Sequence, residues 1–167
     1  QWVFEVCLPT GTLENPDGSD LDFIAELKRD LDTAGLPAPS PIEQRWTASS
    51  TSPMSPAYST NANEIFSWVG GIMYMPEEDD TTRAQVTDKF REYMKVMNAL
   101  CERYQGHAHW AKIELPQEDD VDYFLNVMKM KRRLKEKYPV DEFNQARKQL
   151  DPKGILSNNM MDTLFGR

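Results

Sequence analysis

The order of apolar and polar positions predicts β-strands in three segments of the chain. In "QWVFEVCLP", Trp2, Phe4 and Val6 fall on one face, because successive side chains of a strand point to opposite faces. The segment "EIFSWVGGIMYM" (64–75) is almost continuously apolar and rich in aromatic and β-branched residues, so it predicts a second strand. "HAHWAKIELP" (107–116) predicts a further one.

Apolar residues recur at helical spacing between these strands and after them. Ser19, with Asp22 three residues on, predicts the start of a first helix through a capping box, and Gly35 predicts its end. A long helix is predicted from Thr82 to Gln105, where Gly106 follows. Three further elements are predicted. One is a helix that begins at the acidic stretch Glu118 to Asp122 and has the basic run Lys129 to Lys137 as its solvated end. The others are a helix over Val140 to Leu150 and a final amphipathic turn.

A short segment after several prolines, Ile42 to Thr47, predicts a fourth strand, since a residue before proline is pushed out of the helical region. Glu43 and Arg45 then share one face, with Gln44 and Trp46 on the other. By spacing alone, the ordinary interpretation of Glu43 and Arg45 is a surface cross-pair on a half-buried strand.

Two segments depart from regular patterns. The serine- and proline-rich run from Ala48 to Thr60 is low in charge and predicts either a solvent loop or a segment laid across another surface. Gly70-Gly71, inside the second strand, indicates a bulge or a close approach of the backbone. Strands and helices mix without a βαβ rhythm, so the predicted class is α+β with a mainly antiparallel sheet.

Composition restricts the class of protein without changing this architecture. The 167 residues suffice for one domain with a real core. The net charge of −8 argues against a nucleic-acid partner, which selects for a basic face. No stretch approaches the roughly 20 apolar residues that cross a bilayer. Cys7 and Cys101 lack a CxxC spacing, which favours buried thiols over a metal site or a disulfide framework.

Four segments resemble, in order, the carboxy-terminal part of a known flavoprotein family. They are "IEQRWTASSTSPMSPAYS", "EIFSWVGGIMY", "HWAKIELP" and "FNQARKQLDPKGILSNNMMDTLF". The HWxK and LDPxGxLxN motifs are shared by aldonolactone and alditol oxidases, whereas EQRW with SPMSPA and LSNNM is similar to the plant-type galactonolactone branch. Over essentially its whole length, the chain resembles the aldonolactone oxidoreductases of the vanillyl-alcohol-oxidase flavoprotein family.

The resemblance implies a two-part architecture. In such enzymes the amino-terminal half binds FAD, and the carboxy-terminal half is a cap with a large, mainly antiparallel sheet, flanked by helices, that closes over the flavin and forms the substrate pocket. By this resemblance, residues 1–138 are the cap and substrate domain, and residues 139–167 return toward the FAD-binding domain. The chain opens on Gln1 in a strand already under way and has no glycine-rich phosphate cradle. We therefore expect the FAD-binding half on a separate chain or an unseen segment.

The resemblance also implies roles for single residues. Glu43 and Arg45 match the family's catalytic and substrate-binding pair, in which a carboxylate accepts the hydrogen of the substrate hydroxyl and a guanidinium fixes the sugar. Side by side, the two would offset each other's burial cost. Lys112 matches a lysine near substrate and flavin, where a fixed cation favours negative charge on the reduced ring; the ordinary alternative is a lysine at the rim.

Three further positions are assigned by the same resemblance. Ser67 matches a serine or threonine that lines the substrate pocket, with a serine in the core of a strand as the alternative. His109 is assigned to the cofactor side, as a structural histidine rather than a base. Asn158 is assigned there too, as an anchor of the returning tail to the FAD-binding domain.

The activity implied is the mitochondrial oxidation of L-galactono-1,4-lactone to ascorbate, at the inner membrane or in the intermembrane space, with electrons passed to cytochrome c. The alternative is a structural or assembly component at the membrane arm of respiratory complex I, catalytically silent without the FAD-binding half. A free small-ligand binding module is a third possibility, although half a pocket without its flavin would close poorly over a ligand.

Overall fold

The computed structural model describes residues 1–36, 42–75, 79–112, 115–116 and 121–166. The chain divides into two compact units, Gln1–Ile113 and Glu114–Arg167. The junction between residues 138 and 139, where the resemblance separates the cap from the returning segment, lies inside the second unit between two of its helices. The assignment of residues 139–167 to a returning segment stays a prediction.

The first unit combines a four-stranded sheet with two long helices. Its strands are β1 (Trp2–Thr12), β2 (Ile42–Ala48), β3 (Glu64–Met73) and β4 (His107–Ala108). Its helices are α1 (Ser19–Thr33), α2 (Asp80–Arg103) and a short 3-10 helix over Trp110–Lys112. The strands lie in the order β2-β3-β1-β4, and each neighbouring pair is antiparallel. The described residues thus confirm the predicted α+β class with an antiparallel sheet.

The register gives the sheet two chemically different faces. On β1, Phe4 and Val6 point to one face and Glu5 points to the other, as the alternation of a strand requires. Antiparallel partners share a face, so Glu5 lies in one row with its partner Gly70 on β3 and with Glu43, the partner of Gly70 on β2. The charged residues of β1 and β2 therefore come to the same side of the sheet.

The face that carries Phe4 and Val6 is covered by α1 and α2 and is called the helical face; the opposite one is called the site face. The hydrophobic core lies on the helical face, between the sheet and the apolar sides of the two helices. The buried members are Phe4, Val6, Leu8, Phe23, Leu27, Leu31, Leu36, Val69, Met73, Phe90, Tyr93, Met97, Leu100 and Cys101. Each such large side chain contributes about 1.5–3 kcal/mol by leaving water. The sheet is thus held to its helices mainly by apolar burial.

Gly71 lies on the helical face, where it meets Tyr93 of α2. A Cβ added at Gly71 would lie 2.7 Å from the Tyr93 hydroxyl oxygen and 3.1 Å from Cζ. That hydroxyl is buried without a hydrogen-bond partner among the described residues, and burial raises the pKa of Tyr93 to about 12. The pairing of β1 with β3 runs through Gly70 and Gly71 without a bulge, and its irregularity falls between Pro9 and Thr12. Close approach at the glycine pair is confirmed, and a bulge there is wrong.

Helix α1 is bound to the edge strand β2 through Asp20, a buried carboxylate in its first turn. Asp20 Oδ2 accepts hydrogen bonds from Gln44 Nε2 at 2.8 Å and from Trp46 Nε1 at 2.9 Å. Asp20 Oδ1 accepts one from the Thr10 hydroxyl at 2.9 Å. Because strand side chains alternate, fixing Gln44 and Trp46 on the helical face turns the charged side chains of β2 to the site face. These four side chains are called the Asp20 network.

The first turn of α1 differs from the prediction. Gly18, not Ser19, occupies the N-cap position, in a left-handed conformation with φ 76° that glycine adopts without strain. Gly18 has no side chain to cap this helix end, and the carboxylate oxygen Oδ1 of Asp17 accepts from Ser19 N at 2.9 Å. Ser19 is instead the first helical residue, and its hydroxyl donates to the carbonyl of Pro9 at 2.9 Å. The hydroxyl therefore ties α1 to β1 rather than closing a capping box.

The strand predicted over residues 107–116 is wrong for most of its length. β4 ends at Ala108, and the chain then forms the 3-10 helix. His109 N donates to Glu5 O at 2.9 Å, and Lys112 N donates back to His109 O at 2.9 Å. The backbone therefore turns against β1 instead of continuing as a strand; residues 113–114 lie outside the described residues.

The second unit contains the helices α3 (Tyr123–Lys137), α4 (Val140–Leu150) and α5 (Asn159–Phe165). The predicted helix that ends in the basic run and the one over 140–150 are confirmed, whereas residues 118–120 of the acidic stretch lie outside the described residues. The tail folds back on α4, where Asn144 Nδ2 donates to Phe165 O at 2.8 Å and Arg147 Nη1 donates to Gly166 O at 3.2 Å.

The contact between Gly71 and Tyr93 gives a first testable prediction. Gly71→Ala should lower the free energy of unfolding by about 1–3 kcal/mol, because the added methyl group overlaps the buried hydroxyl. Tyr93→Phe removes an unpaired polar group and should raise it by up to about 1 kcal/mol. In the Tyr93→Phe background the alanine should cost much less. Denaturant unfolding of the four proteins measures this coupling, and strictly additive effects would contradict the contact.

The Asp20 network gives a second prediction. Asp20→Asn removes the charge that strengthens the hydrogen bonds from Gln44 and Trp46 and sets an amide donor against the Thr10 hydroxyl, so we expect a loss of about 1–3 kcal/mol in the free energy of unfolding. Asp22→Asn is the matched control, since it removes a charge from the same helical turn at an exposed side chain, and it should cost about 0.5 kcal/mol. Thermal unfolding compares the two. Equal losses would assign the effect to the helix terminus instead of the network.

Candidate functional site

The site face carries a buried carboxylate between two cations. Glu5 on β1 is only 7% exposed. Its Oε1 lies 2.8 Å from Arg45 Nη2, and its Oε2 lies 2.7 Å from Lys112 Nζ. Each oxygen has its own cation, which offsets the cost of taking the carboxylate out of water. These three residues, called the Glu5 cluster, leave one positive charge in excess.

Arg45 reaches Glu5 by crossing a strand. β3 lies between β2 and β1, and Arg45 pairs with Trp68 of β3, whose ring centre lies 5.2 Å from the guanidinium carbon. Gly70, two residues further along β3 on the same face, has no side chain to block the path. A Cβ there would already lie 3.4 Å from Glu5 Cβ. A tryptophan ring beside a bare glycine therefore lets the arginine span β3.

Lys112 is brought to Glu5 by the turn that follows β4. The turn is attached to β1 through the hydrogen bond from His109 N to Glu5 O. His109 Nδ1 accepts from Ala111 N at 3.1 Å, and its ring lies edge-on to Trp68 with centroids 5.7 Å apart. His109 therefore shapes the turn that carries Lys112, which agrees with a structural histidine; its assignment to the cofactor side stays a prediction.

The loop over residues 49–60 covers part of the site face. It closes a small apolar cluster there, made of Cys7, Ala57, Phe66 and Trp68. The carbonyl of Met54 also accepts a hydrogen bond from Trp110 Nε1 at 2.6 Å. Of the two interpretations of this serine- and proline-rich run, a segment laid across another surface is confirmed. The apolar cluster that it closes includes Trp68, over whose ring lies Arg45 of the Glu5 cluster.

Glu43 shares the site face with Arg45, as the strand pattern predicts. It is exposed, and among the described residues its carboxylate has no ion pair or hydrogen bond. The expectation that Glu43 and Arg45 offset each other's burial is wrong, because Arg45 pairs with Glu5 instead. Glu43 and Glu5 flank Gly70 in one row of the sheet. An unpaired carboxylate therefore stands beside the Glu5 cluster.

The structure does not bring Ser67 to this cluster. Ser67 is fully buried and pairs with Leu8 on β1 and Trp46 on β2, which places it on the helical face. Its hydroxyl oxygen accepts from Gln44 Nε2 at 3.0 Å, so it extends the Asp20 network. A role in lining a substrate pocket rests on the resemblance alone and stays a prediction.

Asn158 belongs to the second unit. Its Oδ1 accepts a hydrogen bond from Met161 N at 2.9 Å, which makes it the N-cap of α5. The side chain therefore fixes the start of the last helix. Its predicted role as an anchor to an FAD-binding domain stays a prediction.

Sequence reasoning missed Glu5, the residue that joins the two cations. A signal was present, because Glu5 is the one charged residue in the run from Trp2 to Leu8 and alternates with the apolar residues of the helical face. Because successive side chains of a strand point to opposite faces, a position between Phe4 and Val6 places Glu5 on the face opposite the core. Its two partners, however, are 40 and 107 positions away along the chain.

Cys7 and Cys101 are buried thiols, as predicted, and lie in two different apolar clusters. Within the described ranges, no three histidine, cysteine, aspartate or glutamate side chains come together as a metal ion would require. In the same part of the chain, no helix combines the length and the apolarity needed to span a bilayer.

Curated proteins similar to this chain are plant lactone dehydrogenases. The chain is 47% identical to the mitochondrial L-galactono-1,4-lactone dehydrogenase of Arabidopsis thaliana over 166 residues, which are 99% of this chain and 26% of that protein. It is 48% identical to the one of Brassica oleracea, with 99% and 27% covered. It is 46% identical to L-galactono-1,4-lactone dehydrogenase 1 of Oryza sativa subsp. japonica, with 99% and 28% covered.

The chain thus spans about a quarter of the length of these relatives, which agrees with a sequence that corresponds to their carboxy-terminal part. A family model described as D-arabinono-1,4-lactone oxidase matches residues 16–164. That range includes Glu43, Arg45 and Lys112 and covers most of both units. The resemblance carried by the motifs is confirmed: the chain belongs to the D-arabinono-1,4-lactone oxidase family.

Proposed function

We propose that this chain is the substrate-binding part of an FAD-dependent L-galactono-1,4-lactone dehydrogenase, which oxidises its lactone to ascorbate. The observation that carries the proposal is the Glu5 cluster with Glu43 beside it: two fixed cations and an unpaired carboxylate on one face of a sheet. The names of the relatives support the choice of lactone. In this proposal the first unit belongs to the cap of a vanillyl-alcohol-oxidase-type flavoprotein.

Arg45 is suited to bind the oxygens of the lactone. Its side chain remains 56% exposed although Glu5 and Trp68 hold the guanidinium in place. A guanidinium has several N–H donors in a rigid fork, and the ion pair with Glu5 leaves some of them for a ligand. In a fixed position these donors stabilise negative charge that develops on a substrate oxygen.

Glu43 is suited to remove the hydroxyl proton. When a secondary alcohol is oxidised, the carbon loses a hydride and the hydroxyl loses a proton, so a base must stand within hydrogen-bond reach of that hydroxyl. The carboxylate of Glu43 is exposed and unpaired among the described residues. The oxygens of Glu5 are each occupied by a cation, which leaves Glu43 as the acceptor.

The described residues fit the ring side of FAD better than its pyrophosphate. Lys112 places a cation, 30% exposed, on the site face, where it can stabilise negative charge on a ring and on the substrate. The glycines with positive φ stand singly, at the irregular end of β1, at helix ends or in a loop, at positions Gly11, Gly18, Gly35, Gly154 and Gly166. They form no phosphate cradle within the described residues. FAD, when bound, accepts the hydride, and we propose that a separate chain or another segment holds its pyrophosphate.

The proposal extends to location and electron acceptor. The relatives are named mitochondrial, and we place this protein in the mitochondrion, at the inner membrane or in the intermembrane space. Cytochrome c is the proposed acceptor of the electrons, by the resemblance. The net charge of −8 on this chain suits a basic protein partner of that kind.

A structural role in respiratory complex I is the second candidate, and exposed apolar side chains of the second unit favour it. On α3, Phe124, Leu125 and Met128 are 80%, 50% and 66% exposed. Contiguous apolar surface of this kind marks contacts between proteins. In this candidate the chain is an assembly component at the membrane arm and is silent without the FAD-binding half.

The choice between these functions is tested on the complete enzyme that contains these residues, purified with any partner chain. We expect FAD in equimolar amount, and bleaching of its absorbance when L-galactono-1,4-lactone is added without oxygen. Added cytochrome c should then be reduced in a lactone-dependent reaction. Copurification with membrane-arm proteins and no flavin would contradict the catalytic proposal and support the structural one.

The role of Glu43 gives a further prediction. In the complete enzyme, Glu43→Gln should lower turnover about ten- to a hundredfold and leave the flavin content unchanged, because one charge-assisted contact to the substrate is lost. Glu102→Gln is the matched control, since it removes the same charge from an exposed position on α2 and should leave turnover unchanged. Steady-state kinetics with the lactone measure both; normal turnover in Glu43→Gln would remove Glu43 from the site.

A further inference from the structure

We propose that Glu5 is the positioning residue of this site, which holds Arg45 and Lys112 together so that both cations face the same bound lactone. The inference rests on the proposed function, because it assigns to Glu5 the geometry of the residues that bind the substrate. Glu5 lies outside the motifs that carry the resemblance and outside the range 16–164 of the family model. The structure is what assigns it.

The two cations come from different parts of the first unit. Arg45 reaches across β3 from the edge strand β2, and Lys112 arrives from the turn after β4, on the other side of β1. Among the described residues, Glu5 is the side chain that forms an ion pair with both, at 2.8 Å and 2.7 Å. Glu5 is therefore the point at which the two halves of the site are joined.

Electrostatic repulsion explains why the residue between Arg45 and Lys112 is a carboxylate. Arg45 and Lys112 are like charges and repel each other. Both side chains are long and partly exposed, at 56% and 30%, so without a shared partner they would gain rotamer freedom by moving into solvent. A carboxylate with one oxygen for each cation turns this repulsion into a fixed arrangement.

Glu5 acts through its partners and does not touch the substrate in this proposal. It is 7% exposed, and both of its oxygens are occupied. Glu5 therefore sets where Arg45 and Lys112 stand, while those two meet the ligand.

The experiment uses the complete enzyme with Glu5→Gln, which keeps the shape of the side chain and removes its charge. We expect kcat/KM for L-galactono-1,4-lactone to fall about ten- to a hundredfold, with KM raised as well as kcat lowered. Glu5→Asp keeps the charge on a shorter stem and should retain more activity than Glu5→Gln. The reverse order would show that size matters instead of charge, and would overturn the proposal.

A double-mutant cycle separates positioning from a general structural role. If Glu5 acts through Arg45 and Lys112, then Glu5→Gln should lower kcat/KM clearly less in an enzyme that already carries Arg45→Gln than in the unmodified enzyme, because only the contact with Lys112 remains to be lost. Independent, multiplicative losses would overturn the inference. Glu26→Gln is the matched control, because it breaks another carboxylate–arginine pair of the same unit, with Arg103, between α1 and α2, the helices that cover the opposite face of the sheet. It should leave the lactone kinetics unchanged.

A chemical readout tests the geometry without any catalysis. Acetylation of Lys112 by acetic anhydride, followed by mass spectrometry, should become severalfold faster in Glu5→Gln, because the ammonium group loses its buried partner. Lys135 on α3 serves as the internal reference. An unchanged rate at Lys112 would overturn the proposal. An unmodified enzyme whose flavin the lactone does not reduce would instead contradict the proposed function, and the acetylation rates would still decide the role of Glu5.

Discussion

Much of the site follows from the need to compensate one buried charge, the carboxylate of Glu5. A carboxylate taken out of water without a partner costs several kcal/mol, whereas two well-placed cations compensate most of that penalty. To supply them, β2 must keep the register that turns Arg45 to the site face, because a slip of one residue would send it to the helical face. The chain after β4 must likewise turn back toward β1 to deliver Lys112.

The elements that were predictable from the sequence are those whose signal is local. Alternation in the first residues gave β1, the apolar run 64–75 gave β3, and helical spacing gave α1, α2 and α4. The same period-two argument placed Glu43 and Arg45 on one face, because the orientation of a strand residue depends only on its parity. The motifs gave the family, and Lys112, the lysine of HWAK, lies beside Glu5, the partner of Arg45.

The partners of these residues were not predictable in the same way, because they depend on contacts between distant parts of the chain. Arg45 and Glu43 are two positions apart, yet the structure pairs Arg45 with a carboxylate 40 positions earlier. Ser67 matches a pocket residue by the resemblance, and the contact that the structure adds, from Gln44 of the Asp20 network, comes from a strand 23 positions earlier. The strand expected over 107–116 stops early for a related reason, since after His109 the backbone closes a 3-10 turn, in which Lys112 N donates to His109 O, and this turn brings Lys112 to Glu5.

The order of the strands has a consequence for how such a site can change. β2, which carries Glu43 and Arg45, is the outermost strand of the described sheet and pairs with β3 on one side only. An edge strand offers its unpaired peptide groups to any segment that lies alongside. A strand added beside β2 would widen the site face beyond Glu43, and it would leave the Glu5 cluster and the register of β1, β2 and β3 unchanged. The breadth of the binding surface and the chemistry at its centre can therefore vary independently of each other.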